Sequence, residues 1–440
     1  MNCREKKYKK FLICSLGCSI ITLLIVSYFY CYSKIPSTIK IRAGMEQTIE
    51  FGIPVTGEFI KKSQEPEAVA VSEQPDLSVT GEVFEPGVPL MSIDMDLRNT
   101  VTLYSTKTDK YQLQLKLFGF IPLKEVEVQV IEDEALIPAG TPIGIYVKTE
   151  GVLVVGIGSF TGTDGRENAP SKYILRTGDY ILKVDKKDVG SKKDFMNMVS
   201  ESAGKELVLT IRRDEEILEV KVKPEKNVSD EYKLGIWVRD NAQGIGTLTF
   251  VDDEGGFGAL GHGINDIDTG NILKLDKGTL YNTEIIGIRK GVNGVPGEMT
   301  GMIDYSEENI FGQITSNSPE GIYGLCNERL IDELNQNYMP IALKQEIETG
   351  PAQIICTVEK YTEAYDIEII DLNPENDNIN RGIVIEVTDP RLLQTTGGII
   401  QGMSGSPILQ DGKIVGAVTH VLVNDPTRGY GIFIENMLEH

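Results

Sequence analysis

Residues 11–32 read FLICSLGCSIITLLIVSYFYCY, an unbroken stretch without a charged side chain. Coiled as a helix, such a run is roughly 33 Å long, enough to cross the hydrocarbon of a bilayer. Arg4, Lys6, Lys7, Lys9 and Lys10 precede it. The positive-inside rule then places residues 1–10 in the cytoplasm and everything after Lys34 on the outer side. Tyr28, Tyr30 and Tyr32 fall where an outer aromatic belt would lie. A cleaved signal peptide is the rival reading, but the run is long and no A-x-A site follows it. The expectation is a single-pass transmembrane helix over 11–32.

The remaining chain is long enough for two or three domains. Its 43 Lys and Arg stand against 65 Asp and Glu, a net charge of −22. A nucleic-acid binder needs a basic face for the phosphates, so nucleic acid is not expected as a partner. Cys326 and Cys356 are the two cysteines away from the apolar run, which allows one disulfide or two buried thiols.

Residues 33–80 are expected to be a flexible linker, most clearly over the acidic stretch 61–80, KKSQEPEAVAVSEQPDLSVT. Alternation with period two in VTLYST and YQLQLKLFGFIPLKEVEVQVI predicts a small β-rich region over 81–137. Residues 138–224 read as strands around one helix in SKKDFMNMVSESAG, with Ser191 as its N-cap. Residues 225–440 carry turn signals every ten or so positions (DDEGG, NDIDTGN, GVNGVPGE, SNSPEG, NPENDN), the rhythm of a β barrel or sandwich.

The chain has three histidines: 262, 420 and the terminal 440. His262 stands in GALGHGIND, where Gly261 and Gly263 let backbone and substrate come close. Ser404 stands in GGIIQGMSGSPILQDGKIVGAVTH. A nucleophilic serine needs a tight turn that exposes its Oγ and backbone N–H groups aimed at the developing oxyanion. Gly402 and Ser404 are the expected oxyanion donors. Ser406 is a second nucleophile candidate, restricted by Pro407. No HExxH pair, CxxC or Walker-type loop is present, so neither metal nor cofactor is expected. Asp266 and Asp268 hint at a metal loop but lack the further ligands calcium needs.

GALGHGINDIDTG and TGGIIQGMSGSPILQDGKIVGAVTHVLVNDPTRGYGIFIENML together resemble the two signature blocks of the SpoIVB family, sporulation serine peptidases of family S55. The resemblance implies a mostly β chain: a transmembrane helix, a PDZ domain over 138–224, and a chymotrypsin-like double β-barrel peptidase over 225–440. It places the catalytic His on His262, the nucleophile on Ser404 and a third member on Asp389 in EVTDPRLLQ. Asp304 is the rival for that third place by spacing. EGVLVVGIGSF and TGDYILKVDKKDV resemble PDZ domains of exported proteases, with Gly151, Val152 and Leu153 as the expected cradle for the carboxylate of a C-terminal peptide.

The implied activity is endoproteolysis of a membrane regulator of pro-sigma-K processing, in the space between the spore membranes, with self-cleavage in the 61–80 linker. Two alternatives belong to other classes: a PDZ adaptor with an inert peptidase-like domain, and an esterase or transferase using the same Ser–His pair. His420 lies sixteen residues after Ser404, where it could contact an acidic or amide P1 side chain; a half-buried strand position is the plainer reading.

Overall fold

A computed structural model of the chain describes residues 3–49, 52–61, 78–79, 93–96, 101–105, 108–334, 337–358 and 360–439. It divides into two compact units, 1–134 and 135–440.

In the first unit the helix Cys3–Lys34 contains an apolar segment, Phe11–Lys34, of mean hydropathy 2.2. Its length suits a membrane span or a signal sequence equally. A five-stranded sheet follows, in the order Thr38–Arg42, Ile121–Ile131, Lys110–Leu117, Val55–Lys61, Ile93–Asp96. In KYQLQLKL the Tyr and the Leu residues are buried while Lys and Gln face outward, as period-two alternation requires. The expected linker 33–80 is corrected here. TIKIR is itself a strand, paired in parallel with Glu127–Ile131, and VTGEFIK pairs with Lys110–Leu117. Apart from Lys61, Ser78 and Val79, the 61–80 stretch lies outside the described residues.

The second unit rests on two long strands, Pro142–Ile157 and Ile236–Val251. From Pro142 to Lys148 the first pairs with Ala242–Thr247 and Asn241 of the second on one side, and with Leu275–Arg289 on the other. Leu275–Arg289 pairs onward with Ile310–Ser318, that with Gly321–Cys326, that with Gly256–Ala259, and that with the second long strand again. The ladder therefore closes into a six-stranded ring around Ile143, Ile145, Val147, Leu248, Phe257 and Leu280. A second closed barrel is built by Gly350–Val358, Tyr361–Leu372, Ile383–Val387, Asp425–Phe433, Lys413–Leu422 and Pro407–Gln410.

Beyond a bulge the same two strands leave the first barrel. Val152 and Leu153 pair with Ile181 and Tyr180, while Leu153–Ile157 pair with Ile236–Arg239. There they join a smaller β-domain whose core collects Val152, Ile181, Phe195, Val199, Leu209 and Leu234, with Ile236 and Val238 packed against it. Its helix Lys192–Glu201 begins at Ser191, whose side chain accepts from Asp194 N–H, as the sequence indicated. The strand pairing crosses the expected division at 224/225 in both directions. The small domain continues to Arg239, and the first barrel takes one of its six strands from 142–148.

A chain that starts at residue 225 lacks that strand and leaves two barrel edges unpaired. It is expected to show no cooperative thermal unfolding by near-ultraviolet circular dichroism, whereas a chain starting at residue 135 shows one transition.

Candidate active site

His262 follows the barrel strand Gly256–Ala259 through two residues in left-handed backbone, Leu260 (φ 71°) and Gly261 (φ 66°). For a leucine this conformation costs on the order of 1 kcal/mol and persists where surrounding bonds impose it. Those bonds are present. Leu260 N–H donates to Thr247 O at 3.2 Å, Gly261 O accepts from Asn380 Nδ2 at 2.7 Å, and Ile264 N–H donates to Asn317 Oδ1 at 2.8 Å.

The imidazole Nδ1 lies 2.9 Å from Gly263 O. A carbonyl oxygen only accepts, so this contact assigns the proton to Nδ1 and leaves Nε2 as a lone-pair acceptor. Burial of the ring pulls its pKa below the ordinary value of 6.5, against the opposing pull of the Gly263 bond.

Ser404 sits on a turn between the helix Pro390–Thr396 and the strand Pro407–Gln410. Its Oγ is partly exposed and donates to Thr419 O at 2.7 Å. Met403 N–H is bonded to Ile400 O and Gly405 N–H to Val418 O, whereas the amides of Gly402 and Ser404 donate to no acceptor among the described residues. The two expected oxyanion donors are therefore the two unclaimed amides of the turn. Gly405 (φ 98°) has to be glycine: a Cβ there would lie 2.0 Å from Thr247 O. Thr247 clamps the turn from the first barrel, its N–H on Ser404 O at 3.0 Å and its Oγ1 on Gly402 O at 2.7 Å. Ser406 is fully buried and its Oγ has no hydrogen-bond partner among the described residues, which removes it as a nucleophile candidate.

Asp389 is brought elsewhere. It caps the helix Pro390–Thr396 by accepting from Arg391 N–H at 2.8 Å, and it takes the Arg391 guanidinium on both oxygens at 3.1 and 2.7 Å. Those hydrogen bonds outweigh its burial and hold its carboxyl down to about 2. Asp304 is exposed and accepts from Ser306 N–H in a turn. Among the described residues no carboxylate bonds to His262. His262 Nδ1 meets the Gly263 carbonyl instead, and Asp389, expected there, is occupied by its own helix.

His420 stands beside the pair, its ring centroid 4.9 Å from that of His262. Its side chain is exposed to solvent. Even so, crowding by protein atoms, then His262 and Arg381, lower its pKa to about 4, so it is neutral near pH 7. Asp266 and Asp268 are ion-paired to Arg239, and Cys326 and Cys356 are free thiols.

The expected peptide cradle also needs correction. Val152 and Leu153 are 0 and 1% exposed, Leu153 pairs with strands on both sides, and a Cβ at Gly151 would lie 2.2 Å from Ile181 O. No edge is open there. An open edge starts at Leu234. The amides of Leu234 and Gly235 donate to no acceptor among the described residues. Gly158 N–H donates to Gly235 O, a register that turns Ile236 N–H away from its paired strand. Among the described residues nothing pairs with that outer edge of Ile236–Arg239, and the helix Lys192–Glu201 buries Phe195 and Val199 in the core it shares.

Sequence reasoning missed Asn380, which binds Gly261 O and Pro319 O through Nδ2 while its own carbonyl accepts from Thr419 Oγ1 at 2.6 Å. It ties the His262 loop to the strand beside Ser404. In NPENDNINRG it is one of several turn-type residues, and nothing in the text singles it out. Asn380→Ala is expected to cost about 1–3 kcal/mol in urea unfolding. Amide hydrogen exchange should quicken first at Gly261–Gly263.

Residues 230–438 match the family model described as SpoIVB peptidase S55, and residues 144–223 match that of a PDZ domain. No curated protein matches the chain. Among solved structures, the HtrA-type protease AlgW with a tripeptide is similar at 14% identity and a TM-score of 0.27, over 45% of this chain and 54% of that one. AlgW with a decapeptide is similar at 12% identity and a TM-score of 0.27, over 49% and 55%. The similarity spans about half the length of either AlgW chain.

Proposed function

We propose that this chain, whose residues 230–438 match the SpoIVB peptidase S55 family model and whose residues 144–223 match that of a PDZ domain, is a membrane-anchored serine endopeptidase. The observation that carries this reading is the conjunction at Thr247: it clamps a Ser404 turn with two unclaimed amides to the foot of the loop that carries His262, a half-buried imidazole whose Nε2 is left as an acceptor.

A substrate in extended form adds to the edge of Thr419–Val421 that, among the described residues, faces no strand. Its amide N–H takes Thr419 O, which frees Ser404 Oγ for His262. The Oγ attacks the scissile carbonyl while His262 Nε2 accepts its proton. The oxyanion is met by the N–H groups of Gly402 and Ser404, the amine departs with the proton from His262, and water releases the acyl group by the same route. In this proposal Gly263 O orients the imidazole and Asp389 is structural.

The family supplies the biological setting. The substrate is a membrane regulator whose cleavage releases pro-sigma-K processing during endospore formation, and self-cleavage falls in the 61–80 stretch. The segment Phe11–Lys34 anchors the chain, with residues 1–10 cytoplasmic and the catalytic domain between the spore membranes. The PDZ ligand is a C-terminal peptide, whose carboxylate sits on the amides of Leu234, Gly235 and Ile236.

Fluorophosphonate labelling of the full chain in detergent tests the site. Wild type, Ser406→Ala and Asp389→Ala are expected to label. Ser404→Ala and His262→Ala are expected to lose labelling by on the order of 10⁴-fold or more. Asp389→Ala should instead lower the melting temperature, through loss of a helix cap worth about 1 kcal/mol. An unlabelled wild type would defeat the reading.

The pH dependence has a definite sign. His262 works as a base only when neutral, and burial lowers its pKa from 6.5. Labelling rates should therefore fall on acidification with a midpoint below 6.5. A midpoint above 6.5 would contradict the assigned environment.

A further inference from the structure

Beside the catalytic pair lies a cationic feature that the mechanism above does not use. Arg381 is exposed, and its guanidinium lies over the Tyr430 ring at 5.0 Å. Tyr430 is the cross-strand partner of His420, and His420 lies against His262. Arg381 is also bound to the site through the chain, since the preceding residue, Asn380, holds both Gly261 O and Thr419 Oγ1.

In a chain with 65 acidic residues, an arginine at this position would ordinarily find a carboxylate. Its neighbours do. Arg428 pairs with Glu386 and Asp425, and Arg391 with Asp389 and Glu363. Among the described residues Arg381 forms no ion pair. Its planar fork is held against an aromatic face and its donors remain available to a ligand. His420, neutral near pH 7, presents a ring N–H donor next to the base.

We infer that Arg381 and His420 form a subsite that selects an acidic side chain among the substrate residues on the N-terminal side of the scissile bond. The geometry favours that side. The substrate edge is Thr419–Val421, and His420 is its middle residue, one position from the carbonyl that holds Ser404 Oγ. A carboxylate there receives charge-assisted hydrogen bonds from Arg381 and one from His420, whereas an isosteric amide receives weaker ones. The inference rests on the serine-peptidase reading and adds the substrate class to it.

The test uses the full chain in detergent, with peptide aldehydes competing against fluorophosphonate labelling. Paired aldehydes carry Glu or Gln at one of the three residues nearest the reactive end. At one of those positions Glu is expected to compete at least about tenfold better than Gln. Arg381→Gln and His420→Gln should each bring that ratio toward one. Arg381→Lys should keep most of it, and Arg381→Glu should reverse it in favour of Lys over Gln. A merely structural role for either residue would lower competition by all peptides without changing the ratio.

A wild-type ratio near one at every position would overturn the inference, as would a ratio that survives in the doubly substituted Arg381→Gln, His420→Gln chain. So would labelling that no aldehyde blocks. Absence of labelling in wild type counts against the peptidase reading itself and is thereby distinguished from failure of the subsite.

Discussion

The site exists because Thr247, on a strand of the first barrel, holds the serine turn of the second. Its N–H and Oγ1 occupy the carbonyls of Ser404 and Gly402, and its own carbonyl accepts Leu260 N–H at the foot of the histidine loop. One residue thereby fixes the Ser404 turn and the His262 loop against each other. Asn380 repeats the arrangement from the other barrel, between Gly261 O and Thr419 Oγ1. These bonds occupy the turn's carbonyls and leave its amides at Gly402 and Ser404 unclaimed, which is the polarity an oxyanion requires. Two small polar side chains therefore do more to define the site than any carboxylate near it.

Local chemistry was legible in the text and partnership was not. Gly261, Gly263, Gly402 and Gly405 mark His262 and Ser404 because positive φ and close approach admit few other residues, and the sequence states those requirements outright. The partner of His262 Nδ1 is a backbone carbonyl, and a carbonyl leaves no letter in a sequence. Asp389 attracted the assignment through the family resemblance, while its oxygens are committed to Arg391 and a helix cap. The peptide cradle was misplaced for a related reason. Glu150-Gly151 reads as a turn, whereas it lies at a bulge inside the one continuous strand Pro142–Ile157, and only the pairing pattern shows that both edges beyond it are filled and that the open edge begins at Leu234. TIKIR and VTGEFIK carried a strand signal in their alternation, overshadowed by the acidic stretch that follows them.

The pattern of corrections has a common cause. Hydrophobic periodicity reports which residues face a core, and it placed strands well in YQLQLKL and in the blocks around Ser404. It does not report which core a strand serves. Pro142–Ile157 and Ile236–Val251 each serve two, changing allegiance at the bulge between Lys148 and Leu153 on one and near Asp240 on the other.

That shared pair of strands bears on how such a protein could have arisen and how it can be altered. A module joined by a tether can be gained, lost or exchanged by recombination at the tether. Here the open edge at Ile236–Arg239 and the clamp at Thr247 are points on one uninterrupted backbone, about ten residues apart. No crossover point separates reader from catalyst without severing two staves of a barrel. Their lineages are therefore bound together: an insertion or deletion of one residue between Arg239 and Thr247 would reverse the facing of the clamp relative to the edge and break the register that lets one strand serve both.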